Sequence, residues 1–131
     1  MKKTLTSGVS FLTIIFLSLT AFPFSHPEIQ ELEKKYAPIT GVYEFDLSDA
    51  GYGILTIEFY VDNNSIWAQS SVGSTPGEMI PVEGKEFVFT IEDPDEGMYE
   101  VSFIKNEEGK YTKCRVKNDN MGMDVVGTKL E

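Results

Sequence analysis

The chain has 131 residues, enough for one domain, and carries 11 basic against 21 acidic residues for a formal charge of −10. A surface of that sign repels phosphate backbones and anionic headgroups, which argues against nucleic-acid and peripheral-membrane binding. Cys114 is the only cysteine, so no intramolecular disulfide can form and stability has to come from the core.

Residues 1–21 read as a signal peptide. Met1-Lys2-Lys3 is a positive start, Val9 to Phe22 is an uncharged, mostly apolar run, and Pro23 breaks it. A run of about 14 residues is too short to cross roughly 30 Å of hydrocarbon but suits an export leader. Ala21 is the expected cleavage point, with Ser25 a second candidate and an uncleaved anchor the alternative. No cysteine lies nearby to take a lipid. The expectation is an exported protein, periplasmic or extracellular, without stable membrane insertion once the leader is gone. Loss of Lys2 and Lys3 takes its charge to −12.

Residues 22–39 form a lead-in with one short helix. Over Pro27 to Tyr36, the residues Ile29, Leu32 and Tyr36 make an apolar stripe at helical spacing. Ser25-His26-Pro27-Glu28 has the S-x-x-E spacing of a capping box, while Lys34 and Lys35 suit the negative end of the dipole. Pro38 ends the helix. A helix placed before a closed sheet is expected to plug one end of it or to pack on its wall.

Residues 40–131 read as all-β. In Thr40 to Leu47, Tyr43, Phe45 and Leu47 alternate with Glu44 and Asp46, the period of a half-buried strand. Seven more strands follow, giving about 41–47, 53–61, 65–71, 78–82, 85–92, 98–105, 110–117 and 123–130, each separated by Gly-, Asn-, Asp- or Ser-rich turns. Tight turns between successive strands predict an antiparallel meander. Pro81 marks the fourth strand as an edge, a bulge or a broken segment.

Hairpin parity fixes which face is apolar. A two-residue Asn63-Asn64 turn pairs Val61 with Ile66, Phe59 with Ala68, Ile57 with Ser70 and, on the other face, Tyr60 with Trp67. A four-residue turn over 106–109 pairs Phe103 with Thr112, Val101 with Cys114, Tyr99 with Val116 and Glu100 with Arg115. Across Glu83-Gly84, Ile80 falls opposite Phe87. The inner face then collects Tyr43, Phe45, Leu55, Ile57, Phe59, Phe87, Phe89, Ile91, Tyr99, Val101 and Phe103, with the smaller Ala68, Ser70, Thr112, Cys114 and Gly127 among them. Eight strands closing on this face make an antiparallel meander barrel preceded by one short helix, its interior filled by side chains or holding one small ligand. A filled interior is the expectation for a chain this short.

The pattern Gly41-x-Tyr43-x-Phe45, Ile54 to Val61, Asn64-Ser65-Ile66-Trp67, Met79-Ile80-Pro81-Val82, Phe87-x-Phe89 and Val101-x-Phe103 before Asn106-x-x-Gly109-Lys110 resembles a bacterial lipocalin-like or streptavidin-like β-barrel domain of unknown function. That domain occurs alone behind a signal peptide or C-terminal to serine beta-lactamase-like hydrolases. Gly41-Val42-Tyr43 is similar to the lipocalin G-x-W with Tyr for Trp. The lipocalin arginine of the last strand has no counterpart, since Arg115 lies on the strand before. The resemblance implies a barrel and no particular activity.

Catalytic motifs are absent from the sequence. The sole histidine, His26, borders the leader, no G-x-S-x-G occurs, and Ser70-Ser71-Val72-Gly73-Ser74 is a polar loop. Glu92-Asp93-Pro94-Asp95-Glu96 reads as a solvated hairpin tip, a weak Ca²⁺ site being the alternative. Cys114 points inward as a small hydrophobe. The sequence therefore suggests an exported, non-enzymatic binding or interaction module without catalytic residues, metal or cofactor. Its candidate ligand contacts are Tyr43, Phe59, Phe89, Tyr99, Met121 and Met123, for a small apolar molecule. Tyr60 and Trp67, paired on the outer face, are expected to lie under Ile29, Leu32 and Tyr36 of the helix; with the helix elsewhere, that pair is the candidate surface for an envelope protein partner. The alternative function is a hydrolytic enzyme or the accessory domain of one.

Overall fold

The computed structural model describes residues 27–73 and 75–130. The predicted leader, its cleavage sites, the Ser25 cap, His26 and Ser74 lie outside them. The chain divides into two units, 1–31 and 32–131, the division falling inside the helix α1 (Pro27–Tyr36). The barrel belongs to the second unit.

Eight strands, β1 (Gly41–Leu47), β2 (Gly53–Asp62), β3 (Ser65–Ser70), β4 (Gly77–Pro81), β5 (Val88–Asp93), β6 (Gly97–Lys105), β7 (Tyr111–Asn118) and β8 (Met123–Lys129), form a closed antiparallel barrel in sequence order. Closure comes from Tyr43 pairing with Lys129 and Glu44 with Thr128, extended by the Leu130 N–H donating to Val42 O at 2.8 Å. Closing the sheet leaves no unpaired edge for a second chain to extend. Pro81 is the last residue of the short β4, where its missing N–H costs the ladder little.

The interior is occupied by side chains. All eleven large residues assigned to the inner face belong to the core or pack against it, joined by Ile39, Ile66, Met79 and Val116. Four rings meet edge to face: Tyr43 with Phe59 and Phe103 at 5.3 and 5.6 Å, Phe59 with Phe103 at 5.0 Å, and Phe89 with Phe103 at 6.0 Å. This geometry suits the aromatic quadrupole. Gly127 faces inward under the Phe45 ring, which a Cβ there would approach to 2.6–2.7 Å.

The β2–β3 register is the one expected, Tyr60 opposite Trp67 included. Two other hairpins differ. In β6–β7, Asn106 and Lys110 close a three-residue turn with Gly109 at φ +83°, and the register shifts again between Ile104 and Lys105. Phe103 therefore pairs with Cys114, Val101 with Val116, Ser102 with Arg115 and Glu100 with Lys117, each two residues from the expected partner. A slip of two preserves the faces, so Cys114 still points inward and is wholly buried. Arg115 instead pairs across β7–β8, donating from Nε and Nη2 to the Asp124 carboxylate at 2.8 and 2.7 Å.

The β4–β5 hairpin breaks parity. Val82 N–H donates to Val88 O at 2.8 Å, so the loop spans Glu83 to Phe87 and Ile80 faces Thr90, not Phe87. Ile80 is consequently 51% exposed and Met79 takes the inner position opposite Ile66. Phe87 absorbs the extra residue at φ +54°, a left-handed conformation costly for a non-glycine side chain.

Candidate ligand site at one end of the barrel

A meander barrel gathers alternate turns at the same end. One end collects the lead-in to β1, the β2–β3 turn, the β4–β5 loop, the β6–β7 turn and the end of β8. There Ile39 and Thr40 donate their N–H groups to Tyr36 O at 3.0 Å each, turning the chain from α1 towards β1. The Tyr43 hydroxyl donates to Ile39 O at 3.0 Å, tying the buried lead-in to the first strand. Burial pushes that hydroxyl well above the ordinary tyrosine range, with the nearby Cys114 adding to the effect.

This lead-in carries Tyr36 into the barrel mouth. Its ring packs on Phe89 at 5.7 Å and on Phe87 at 6.1 Å, and Phe87 in turn meets Tyr111 edge to face at 5.0 Å. Tyr36 therefore does not cover the Tyr60–Trp67 pair, because the mouth offers it the rings of Phe87 and Phe89 to pack on. Around these rings opens a cleft of about 1080 Å³, lined also by Lys35, Pro81, Lys85, Lys105, Lys110 and Lys129. Lys35 lies over Tyr36 at 5.3 Å and Lys105 over Tyr111 at 5.5 Å, within cation–π range. Phe87 is held in its strained conformation by these ring contacts and by Phe103 N–H, which donates to its carbonyl at 3.2 Å.

The sequence-selected ligand residues do not converge. Phe89 forms part of the cleft floor, whereas Tyr43 and Phe59 are fully buried in the ring cluster. Tyr99, Met121 and Met123 lie at the opposite end. There the Tyr99 hydroxyl donates to the Glu96 carboxylate, with Met121 Sδ 3.4 Å away. Burial, then that hydrogen bond and the negative charge of Glu96, push the Tyr99 hydroxyl up to about 12. Met121 is 46% exposed, and Met123 packs against the core. Asn118, read from the sequence only as a turn residue, is buried at this end and latches two turns together. It donates from Nδ2 to Glu96 O at 3.1 Å and accepts from Asn120 N–H and Met121 N–H at 3.0 and 3.3 Å.

Tyr60 and Trp67 are half-buried. The Trp67 indole N–H donates to Asp62 O at 2.8 Å, and Tyr60 borders a shallower hollow of about 400 Å³ with Glu33, Thr40, Glu58 and Val61. In the acidic tip, Asp93 Oδ1 accepts the N–H groups of Asp95 and Glu96 at 2.8 Å each, an Asx-type cap of the turn. Among the described residues no group of three His, Cys, Asp or Glu side chains is placed to hold a metal ion. Cys114 is buried, and desolvation pushes its thiol far up, which disfavours the reactive thiolate.

Sequence reasoning missed the cleft. Tyr111 and Phe87 flank turns whose lengths it misjudged, and the lysines come from the helix, a loop, a turn and two strand ends that only barrel closure brings together. Comparison with protein-family models, curated protein sequences and solved structures finds no significant match to this chain.

Proposed function

We propose that the protein is an exported, non-enzymatic binding module whose cargo is a small molecule with an apolar body, held in the cleft beside Phe87 and Tyr111. The observation that carries this reading is Phe87. A bulky residue in a left-handed backbone conformation costs of order 1–3 kcal/mol and persists where its surroundings hold it, as at ligand clamps. Here the strain presents an aromatic ring to an open recess of about 1080 Å³, the size of a small-molecule site. The barrel interior below is filled with rings, which favours the mouth over the lumen as the place of binding.

Thermal unfolding with a panel of fatty acids and aromatic metabolites tests the reading, since a ligand of the native state raises stability by mass action. At least one class should raise the unfolding temperature, and Tyr111→Ala should abolish the rise. A panel without effect, or a rise indifferent to Tyr111→Ala, contradicts it.

A further inference from the structure

The proposed binding mode leaves the polarity of the cargo open, and the distribution of charge around the cleft addresses it. The chain has almost twice as many acidic as basic residues. The cleft inverts that balance, with Lys35, Lys85, Lys105, Lys110 and Lys129 along its walls against Glu86 alone. Among the described residues, none of these five lysines has a carboxylate oxygen within 4.0 Å; the ion pair found there is Arg115–Asp124 on the outer wall. Glu107 and Glu108 flank Lys105 and Lys110 in sequence but belong to the turn above and do not line the recess. Their backbone is fixed by Asn106, whose Oδ1 accepts the N–H groups of Glu108 and Lys110 at 2.9 and 3.0 Å.

Lys129 Nζ donates to Pro38 O at 3.4 Å, and Lys35 and Lys105 lie over rings, but none of the five meets a counter-charge. Ammonium groups without a carboxylate partner, gathered in a recess with apolar walls, focus a positive potential there, even on a protein whose net charge is negative. An anion at that position supplies the counter-charge that the protein's own carboxylates do not. We infer that the cleft takes an organic anion, with its apolar body on Phe87 and Tyr111 and its negative group among the five lysines. This rests on the cleft being a ligand site and adds the chemical class. A small molecule fits better than a polyanion. Beyond the mouth a long anionic chain would meet an acidic surface, including Asp93, Asp95 and Glu96 at the opposite end. Lysines are flexible point charges, so the site reads the charge of the head group without imposing the planar fork that arginine would impose.

The test compares two fluorescent probes that share their rings and differ in charge: 8-anilinonaphthalene-1-sulfonate and the neutral N-phenyl-1-naphthylamine. They are titrated into the full chain, into Lys85→Gln/Lys105→Gln, and into the outer-wall control Lys113→Gln/Lys117→Gln, each shown to be folded by its thermal transition. The sulfonate should bind about tenfold or more tighter than the neutral probe. It should lose about tenfold with the cleft lysines removed, be unchanged in the control, and weaken as salt rises. Equal affinity for both probes, or sulfonate binding unaffected by the cleft substitutions, overturns the anion assignment while leaving the apolar site standing. Failure of both probes to bind overturns both readings. Exclusion of the sulfonate by a concentration-dependent oligomer would give the mouth to a second copy, whose acidic end is complementary to it, and would also overturn the assignment.

Discussion

Gly127 shows how one missing side chain shapes the barrel. The Phe45 ring occupies the space its Cβ would take, and three ring carbons lie within 2.7 Å of that position. Phe45 is itself fully buried, so neither partner can move without displacing the packing around it. Gly127→Ala should therefore destabilise the fold by about 1–3 kcal/mol, the range for overpacking a core, measurable by denaturant unfolding. Cys114, opposite Gly127 on β7, should resist thiol reagents in the native state and react after denaturation. Rapid native labelling would place β7 one residue out of register. The inward direction of both residues was legible from alternation alone. Ile39 was not, because it lies in an irregular segment with no period to read, and only the Tyr43 hydroxyl bonded to its carbonyl explains its burial.

At the scale of elements, the helix and all eight strands lie where hydrophobic period and turn residues place them; the helix and β1 coincide at both ends, and no other end differs by more than three residues. Pairing was less legible, and for a definite reason. Register depends on turn length, and turn length depends on backbone conformations that residue type only partly dictates. Gly109 at positive φ makes the β6–β7 turn one residue shorter than expected, and a bulge supplies the compensating residue, so faces survive while partners change. Phe87 at positive φ contradicts local preference outright. It is set by Tyr36 and Tyr111, which are remote in sequence, and so Ile80 was assigned to the wrong face. Turns are also joined to one another. Asn118 spends its side-chain amide on the β5–β6 and β7–β8 turns. Asn118→Ala would leave those buried groups without partners and should cost about 1–3 kcal/mol. Hydrogen exchange should report it as faster opening at Glu96 to Met121 than in the β1–β2 hairpin.

The whole molecule is electrically uneven. Asp46, Asp49, Glu92, Asp93, Asp95, Glu96 and Asp119 lie in the turns of one end or on the strand ends beside them, while the cleft lysines gather at the other. Glu83, Glu86, Glu107 and Glu108 share the turns of the lysine end, so summing turn charges from the sequence makes both ends acidic and hides the cleft, whose lining selects the lysines. Totals for the chain conceal it too. The same buried hydroxyls and thiol set the alkaline limit of the fold. Tyr43, Tyr99 and Cys114 are held protonated by burial, Tyr99 up to about 12. The unfolded chain releases those protons from about 8.5 for the thiol and about 10 for the tyrosines. The stabilisation is complete below these values and is lost as pH rises through the folded ones. The unfolding temperature should be level near neutrality and fall above about pH 9, with Tyr43 ionising only as the barrel opens. On the acid side, Asp46 and Asp124 are held below the usual carboxylate range, by the hydrogen bonds from Ser48 and by the Arg115 guanidinium respectively. Their contribution is present above about pH 4 and is lost below it.

The proposed function places ligand entry at the lysine-rimmed mouth and not at the methionine-bearing end. Backbone amide chemical-shift mapping during titration with 8-anilinonaphthalene-1-sulfonate tests it most directly, because it locates the probe without any substitution. Perturbations are expected to concentrate at Lys35 to Pro38, Lys85 to Phe89, Lys105 and Lys110 to Thr112, where amides are present, with Tyr99 and Met121 to Met123 unmoved. Perturbations centred on Tyr99, Met121 and Met123, or on Tyr60 and Trp67, would contradict it.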